Sequence, residues 1–117
     1  MTQEIQELLN KIYNDFSIEK FGLKKESRIF LDKLLLNNEH LKKFFELESD
    51  EYVFKFINII YLDLIEIRSK INGIKKVAKN SREFEILFIK YFGHNLENLE
   101  QEKKEKLKEF IEKEYNN

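Results

Sequence analysis

The chain has 117 residues, of which 42% are hydrophobic and 37% are charged, and this composition fits one folded domain with one core rather than a disordered segment. Because 21 Lys and Arg nearly balance 22 Asp and Glu, the formal net charge of -1 excludes a strong overall attraction to a polyanion or a membrane surface. No Cys is present, which excludes disulfide bonds and thiolate metal sites.

A first helix is predicted near the N-terminus, where apolar side chains recur at helical spacing along a single stripe. Thr2 is placed to cap the start of this helix, and Ser17 or Gly22 is placed to end it. A stripe of this kind indicates a helix with one face on the core. Its residues are Ile5, Leu8, Leu9, Ile12, Tyr13 and Phe16.

A second helix is predicted to begin at Ser27, which is a residue type that favours the N-cap position. Its apolar face runs from Ile29 to Leu36. Residues 37 and 38 are both Asn, and they are predicted either to kink this helix or to start another one.

The longest apolar stretch follows Ser49 and Asp50, one of which is predicted to be the N-cap of a long helix. Seven aliphatic residues recur there at alternating steps of four and three, which is the spacing of one helix seam. A β-hairpin is disfavoured because the alternation of period two fails around residues 59 and 60. Residues 72 and 73 (Asn-Gly) are predicted to end the helix, and a short helix is predicted to begin near Ile74. The seam residues are Val53, Ile57, Ile60, Leu64, Ile67, Ile71 and Ile74.

A basic segment, residues 68–82, holds six cations and no anion. The favoured interpretation is that these cations are solvated and that those in the last turns of helices complement the negative ends of the helix dipoles. Only Arg82, close to the start of the next helix, is placed against this rule. Docking of an acidic protein surface and contact with nucleic acid are the two alternatives, although the segment lacks an aromatic residue for base stacking. The cations are Arg68, Lys70, Lys75, Lys76, Lys79 and Arg82.

Two further helices are predicted after the basic segment. Asn80 and Glu83 resemble a capping box for the first of them, which Gly93 ends, and Asn98 with Gln101 repeats the arrangement for the last. The apolar residues of the last helix either pack on the core or fill a groove of a partner or of a second copy. These residues are Leu107, Phe110, Ile111 and Tyr115.

No motif in the sequence specifies catalysis. Four of the five serines, Ser17, Ser27, Ser49 and Ser81, lie at cap or turn positions, and none of the five stands in a G-x-S-x-G elbow. His40 and His94 do not stand in H-x-x-x-H or E-x-x-H spacing, because Asn37 and Tyr91 occupy the positions three residues before them. Neither an enzyme activity nor a cofactor or metal is therefore expected.

The predicted fold is an all-α, single-domain antiparallel bundle of four to five helices with a central hydrophobic helix. Residues 1–117 are expected to form one domain, and the last helix, about residues 98–116, is expected either to pack on it or to project. The N-terminus lacks a secretory signal, and the longest charge-free run, residues 56–62, is far shorter than the ~20 residues of a membrane span, so a cytoplasmic protein is expected.

The predicted function is that of a non-enzymatic protein-binding module, such as a small inhibitor, immunity or adaptor protein of bacterial or phage origin. It follows from the absence of a chemical motif and from the 11 Phe and 5 Tyr, because aromatic residues often anchor interfaces. The alternative is a small subunit of a nucleoprotein complex that contacts RNA or DNA through the basic segment. Another protein is thus the expected partner, no membrane association is expected, and a homodimer is compatible with the pattern.

Overall fold

A computed structural model describes residues 2–36, 38–97 and 99–117. All regular structure within these ranges is helical, which confirms the all-α prediction and excludes the β-hairpin alternative. The described α-helices number five when the second and third, which are separated by one residue in sequence, are counted as one. The α-helices are α1 (Thr2–Asp15), α2 (Lys25–Leu36), α3 (Asn38–Leu47), α4 (Asp50–Val77), α5 (Ser81–Phe92) and α6 (Gln101–Asn116), and Glu19–Gly22 and Gly93–Leu96 form short 3-10 helices.

The long helix α4 begins as predicted. Ser49 has extended backbone, and its hydroxyl accepts a hydrogen bond from the Tyr52 N–H at 3.2 Å, while Asp50 and Glu51 place negative charge in the first turn. All seven side chains of the predicted seam are buried, so the spacing argument is confirmed. The helix contacts α1, α5 and the Glu19–Gly22 3-10 helix. Its seam therefore supplies a large part of the core.

The prediction that residues 72 and 73 end this helix is wrong, because α4 continues through Gly73 to Val77. Glycine in a helix interior costs ~0.5–1 kcal/mol relative to Ala. Continuing the helix keeps Ile74, which is 6% exposed, on the buried seam, and burying a side chain of that size contributes ~1.5–3 kcal/mol. The gain from burial exceeds the cost of the glycine, so no separate short helix forms.

One predicted boundary near the N-terminus is also wrong. Helix α2 begins at Lys25, so Ser27 lies inside the helix instead of capping it. Helix α1 ends at Asp15, two residues before Ser17 and well before Gly22. Between these helices Ile18, Phe21 and Leu23 are buried. The connection is therefore packed against the core and is not a solvated loop.

Gly22 lies at the closest approach of this connection to the rest of the core. A Cβ atom at Gly22 would lie 2.7 Å from Ile67 Cγ2 and 3.1 Å from two ring carbons of Phe92. A side chain there would push apart the 3-10 helix, α4 and α5. A glycine at this position thus allows the three elements to pack closely. The sequence around Gly22 gives no sign of this close packing.

The ends of α5 follow the sequence prediction closely. Asn80 Oδ1 accepts a hydrogen bond from the Glu83 N–H at 2.8 Å, and Glu83 Oε1 accepts one from the Lys79 N–H at 3.3 Å. The arrangement is a capping box whose returning bond is shifted by one residue. Helix α5 ends at Phe92, immediately before Gly93. The predicted cap of α6 falls on Asn98, which is outside the described residues.

The last helix contacts α5. Leu107 and Ile111 are buried, and Lys103 Nζ lies 3.2 Å from Asp32 Oδ2, which links α6 to α2. Most side chains between residues 100 and 106 are exposed. Over the described ranges, no helix is both long enough and apolar enough to cross a bilayer.

Candidate functional site

The six cations of the basic segment divide into two groups in the structure. Arg68, Lys70 and Lys75 form ion pairs with carboxylates of this chain. Lys76, Lys79 and Arg82 are exposed, and no ion pair of their side chains is found within the described residues. Half of the segment is therefore neutralised within the molecule, which weakens the argument for a phosphate-binding surface.

Arg68 lies at the centre of a charge cluster that joins three parts of the fold. Its guanidinium lies 2.8 Å (Nε) from Glu19 Oε1 on the first 3-10 helix, and its Nη1 donates a hydrogen bond to Glu114 on α6. Lys75 Nζ approaches the second oxygen of Glu114 at 3.7 Å. The contact with Glu19 is an ion pair without well-directed hydrogen bonding, because Arg68 Nε and Glu19 Oε2 have no hydrogen-bond partner among the described residues.

Glu19 is 3% exposed, and this burial raises the pKa of its carboxyl above the usual value, although the nearby Arg68 acts in the opposite direction. The loss of hydration thus outweighs the attraction of the guanidinium. Compared with the unfolded chain, the folded protein therefore favours the protonated form of Glu19 over the ionised form.

A cleft of about 180 Å³ adjoins this cluster. It is lined by Ser17, Glu19, Arg68, Phe110 and Glu114, among other residues. Arg68 engages both of these carboxylates, and Ser17 has no neighbouring imidazole in the lining to act as its base. The charges of the cluster therefore mainly hold α4, α6 and the 3-10 helix together.

The Glu19→Gln variant is expected to change how stability depends on pH. Because folding raises this pKa, the stabilising contribution of the protonated carboxyl is complete below the unfolded-state pKa and is lost as the pH rises through the folded-state pKa. The free energy of unfolding of the variant relative to the unmodified protein should therefore increase from about pH 4 to about pH 7. Urea unfolding across this range measures it, and Glu112→Gln, at an exposed position, provides the control. If the difference in the free energy of unfolding between Glu19→Gln and the unmodified protein stayed constant across this pH range, the raised pKa of Glu19 would be contradicted.

His94 lines a wider cleft of about 560 Å³ together with Asp63, Glu66 and Tyr91. Its imidazole is exposed, and within the described ranges it makes no hydrogen bond or ion pair with a carboxylate. The side chain of His40 lies outside the described residues. No group of three or more His, Asp or Glu side chains is placed to hold a metal ion in the part of the chain that the structure describes.

An apolar groove of about 230 Å³ lies between α5 and α6. Its surface is formed mostly by apolar side chains, and Glu85, Lys104 and Lys108 stand at its edge. Ile89, which is 47% exposed, and Ile86, which is 58% exposed, extend the apolar surface along α5. The apolar residues of the groove are Ile89, Leu96, Leu99, Leu107 and Ile111.

The four residues of α6 that the sequence suggested for a partner are used mainly within this chain. Leu107 and Ile111 are buried and line the groove. Phe110 packs against Phe21 with ring centroids 6.1 Å apart, and Tyr115 is likewise 6.1 Å from the Phe84 ring. Their contact with a partner stays a prediction, and only the two aromatic residues are partly accessible.

The exposed residues Ile86 and Ile89 were missed by the sequence reasoning. The stretch from Phe84 to Phe92 is almost continuously apolar, so it contains no polar stripe that would mark the outward face. The i, i+4 spacing of Phe84, Phe88 and Phe92, all of which are buried, was the available signal. It places residues 86 and 89 away from the core.

Comparison of the chain with protein-family models, with curated proteins and with solved structures finds no match. The functional argument is therefore made from the residues and contacts described above.

Proposed function

We propose that this protein is a non-enzymatic protein-binding module and that the groove between α5 and α6 takes an amphipathic segment of another protein. The observation that supports the proposal is an accessible apolar groove with cations at its edge. Apolar grooves of this kind bind the apolar face of a helix, and buried apolar anchors contribute most of the binding energy.

The chemistry of the edge defines the occupant. Lys104 and Lys108 stand one turn apart on α6, and they face solvent beside the apolar floor. A segment with a large apolar side chain flanked by Asp or Glu would fill the floor and pair with these lysines. Glu85, on the α5 side, would disfavour a second carboxylate there and so fix the direction of the segment.

Small inhibitors, immunity proteins and adaptors work in this way, and we propose a cytoplasmic protein of that class. We also infer that the helices form an antiparallel bundle. Helices α4 and α5 are in contact and are joined by only three residues, 78–80, and α5 and α6 contact each other across another short connection. Short connections between neighbouring helices favour antiparallel packing.

Contact with RNA or DNA is the second candidate function. It is supported by the exposed cations Lys76, Lys79 and Arg82, which extend from the last turn of α4 to the first turn of α5. Titration with nucleic acid between about 50 and about 200 mM salt tests it, because an interaction with several phosphates weakens steeply over that range. Absence of binding at the lower salt concentration would exclude it.

Selection of binders from a displayed library of random peptides tests the proposed groove. The selected peptides are expected to carry a large apolar residue next to Asp or Glu. Ile89→Glu, which places a charge in the groove, should weaken their binding by about tenfold or more, and Lys104→Glu with Lys108→Glu should do so in a salt-dependent way.

Val77→Glu is the matched control, because Val77 is 69% exposed and is not among the lining residues of the groove. Its binding should equal that of the unmodified protein. Peptides without a carboxylate, or binding that survives Ile89→Glu, would overturn the proposal.

A further inference from the structure

The outward side of α4 carries three large aliphatic side chains. Ile59 is 62% exposed, Leu62 is 63% exposed and Ile65 is 44% exposed. Their i, i+3, i+6 spacing sets them in a diagonal row across the side of the helix opposite the buried seam. We call this row the α4 ridge. Singly exposed apolar side chains are common on protein surfaces, whereas a contiguous row of them is a feature of interaction surfaces.

The α4 ridge is symmetric about its middle residue. Ile59 and Ile65 lie three positions before and after Leu62, and both are isoleucine. If a second copy of α4 packs antiparallel with the two-fold axis at Leu62, each Leu62 meets its equivalent and each Ile59 lies at the level of Ile65 of the other copy. A two-fold interface requires such self-complementarity, because the same surface is presented by both subunits.

The charges beside the α4 ridge are complementary under the same symmetry. Lys55 and Glu66 are exposed, and among the described residues they form only intrahelical ion pairs, with Glu51 at 3.3 Å and with Lys70 at 3.6 Å. In the antiparallel arrangement Lys55 lies within one helical turn of Glu66 of the other copy. Exposed i, i+4 pairs are weak, so these side chains are available for an intermolecular pair.

We propose that a second copy of this chain binds the α4 ridge and that the protein forms a two-fold symmetric, antiparallel dimer through α4. The contact involves a different surface from the α5–α6 groove, so the inference does not depend on the proposed function. One helix face from each copy gives a small interface, and interfaces of that size are reversible. The dimer should therefore depend on protein concentration.

Sedimentation equilibrium between about 10 µM and about 1 mM protein measures this association. The unmodified protein is expected to shift from monomer to dimer within the range. Leu62→Glu should raise the dimer dissociation constant by about tenfold or more, because it places two like charges at the axis. Leu47→Glu makes the same change at a side chain that is 81% exposed at the end of α3, and it should leave dimerisation unchanged. Thermal unfolding checks that both variants fold.

Charge exchange distinguishes a second copy from other occupants. Lys55→Glu and Glu66→Lys should each weaken self-association by about threefold to tenfold, because each replaces an attraction with a repulsion. An equimolar mixture of the two variants should associate again, since every Lys then faces a Glu.

A protein that stays monomeric at about 1 mM would overturn the proposal. So would a dimer that Leu62→Glu does not weaken, or a mixture of the two charge variants that does not associate more strongly than either alone.

Discussion

Leu64→Ala is expected to lower the free energy of unfolding by about 2–5 kcal/mol, whereas Leu62→Ala should change it by about 0.5 kcal/mol or less in the monomer. Leu64 is 0% exposed on the seam of α4, and its truncation leaves a cavity as well as removing apolar contacts. Leu62 is 63% exposed on the opposite side of the same helix, where truncation removes little buried surface.

The two substitutions form a matched pair. Both replace Leu with Ala in the interior of one helix, so the change in helix propensity is the same and cancels in the comparison. Urea unfolding at a protein concentration low enough to keep the chain monomeric gives both free energies. Equal losses for the two variants would contradict the orientation of α4, and the placement of the seam and of the α4 ridge would then be wrong together.

The orientation of α4 was accessible from the sequence because local spacing alone determines it. Seven aliphatic residues at alternating steps of four and three can share one side of a helix, and this spacing identifies the buried side. The same reasoning failed at Gly73, where a local stop signal competed with the burial of Ile74. The buried seam determined the length of the helix, and the glycine was tolerated within it.

The charge cluster could not be predicted in the same way. Arg68 and Glu114 are 46 positions apart, and no periodicity within either helix indicates that they meet. The sequence suggested that Arg68 complements the last turn of a helix, but α4 extends beyond it to Val77. Only the packing of α6 and of the first 3-10 helix against α4 reveals that the guanidinium is held by two carboxylates.

The candidate groove could be predicted from the sequence only in part. The sequence identified Leu107 and Ile111 as residues of interest, and the structure places them in its lining. Their partners on α5 lie in a stretch whose polar residues are only Glu85 and Lys90, so the outward direction of Ile89 follows from the burial of Phe84, Phe88 and Phe92 on the other side of the helix. Sequence patterns thus gave one side of the groove, and tertiary contacts were needed for the other side.

The role of the basic segment can be tested by comparing Arg68, which forms ion pairs between elements of the fold, with Lys70, which lies two positions later on the helix surface. Arg68→Met is expected to lower the free energy of unfolding at neutral pH by about 1–3 kcal/mol. Removing one partner of a buried ion pair costs about 3–5 kcal/mol, and the value is reduced here because the Arg68 side chain is 31% exposed. The loss arises because Glu19 and Glu114 would then lack their shared counter-ion.

Lys70→Met is the control, with an expected loss of about 0.5 kcal/mol or less, because Lys70 forms an ion pair with Glu66 across one turn of exposed helix. Unfolding of the double variant Arg68→Met with Glu19→Gln should recover part of the loss, since the unpaired buried charge at Glu19 is removed. If nucleic acid were the ligand of the segment, Arg68 and Lys70 would instead contribute similarly to affinity and neither would matter much for stability. A large, pH-dependent stability effect at Arg68 alone would assign this cation to the folding of α4, α6 and the 3-10 helix, and equal effects at the two positions would contradict that assignment.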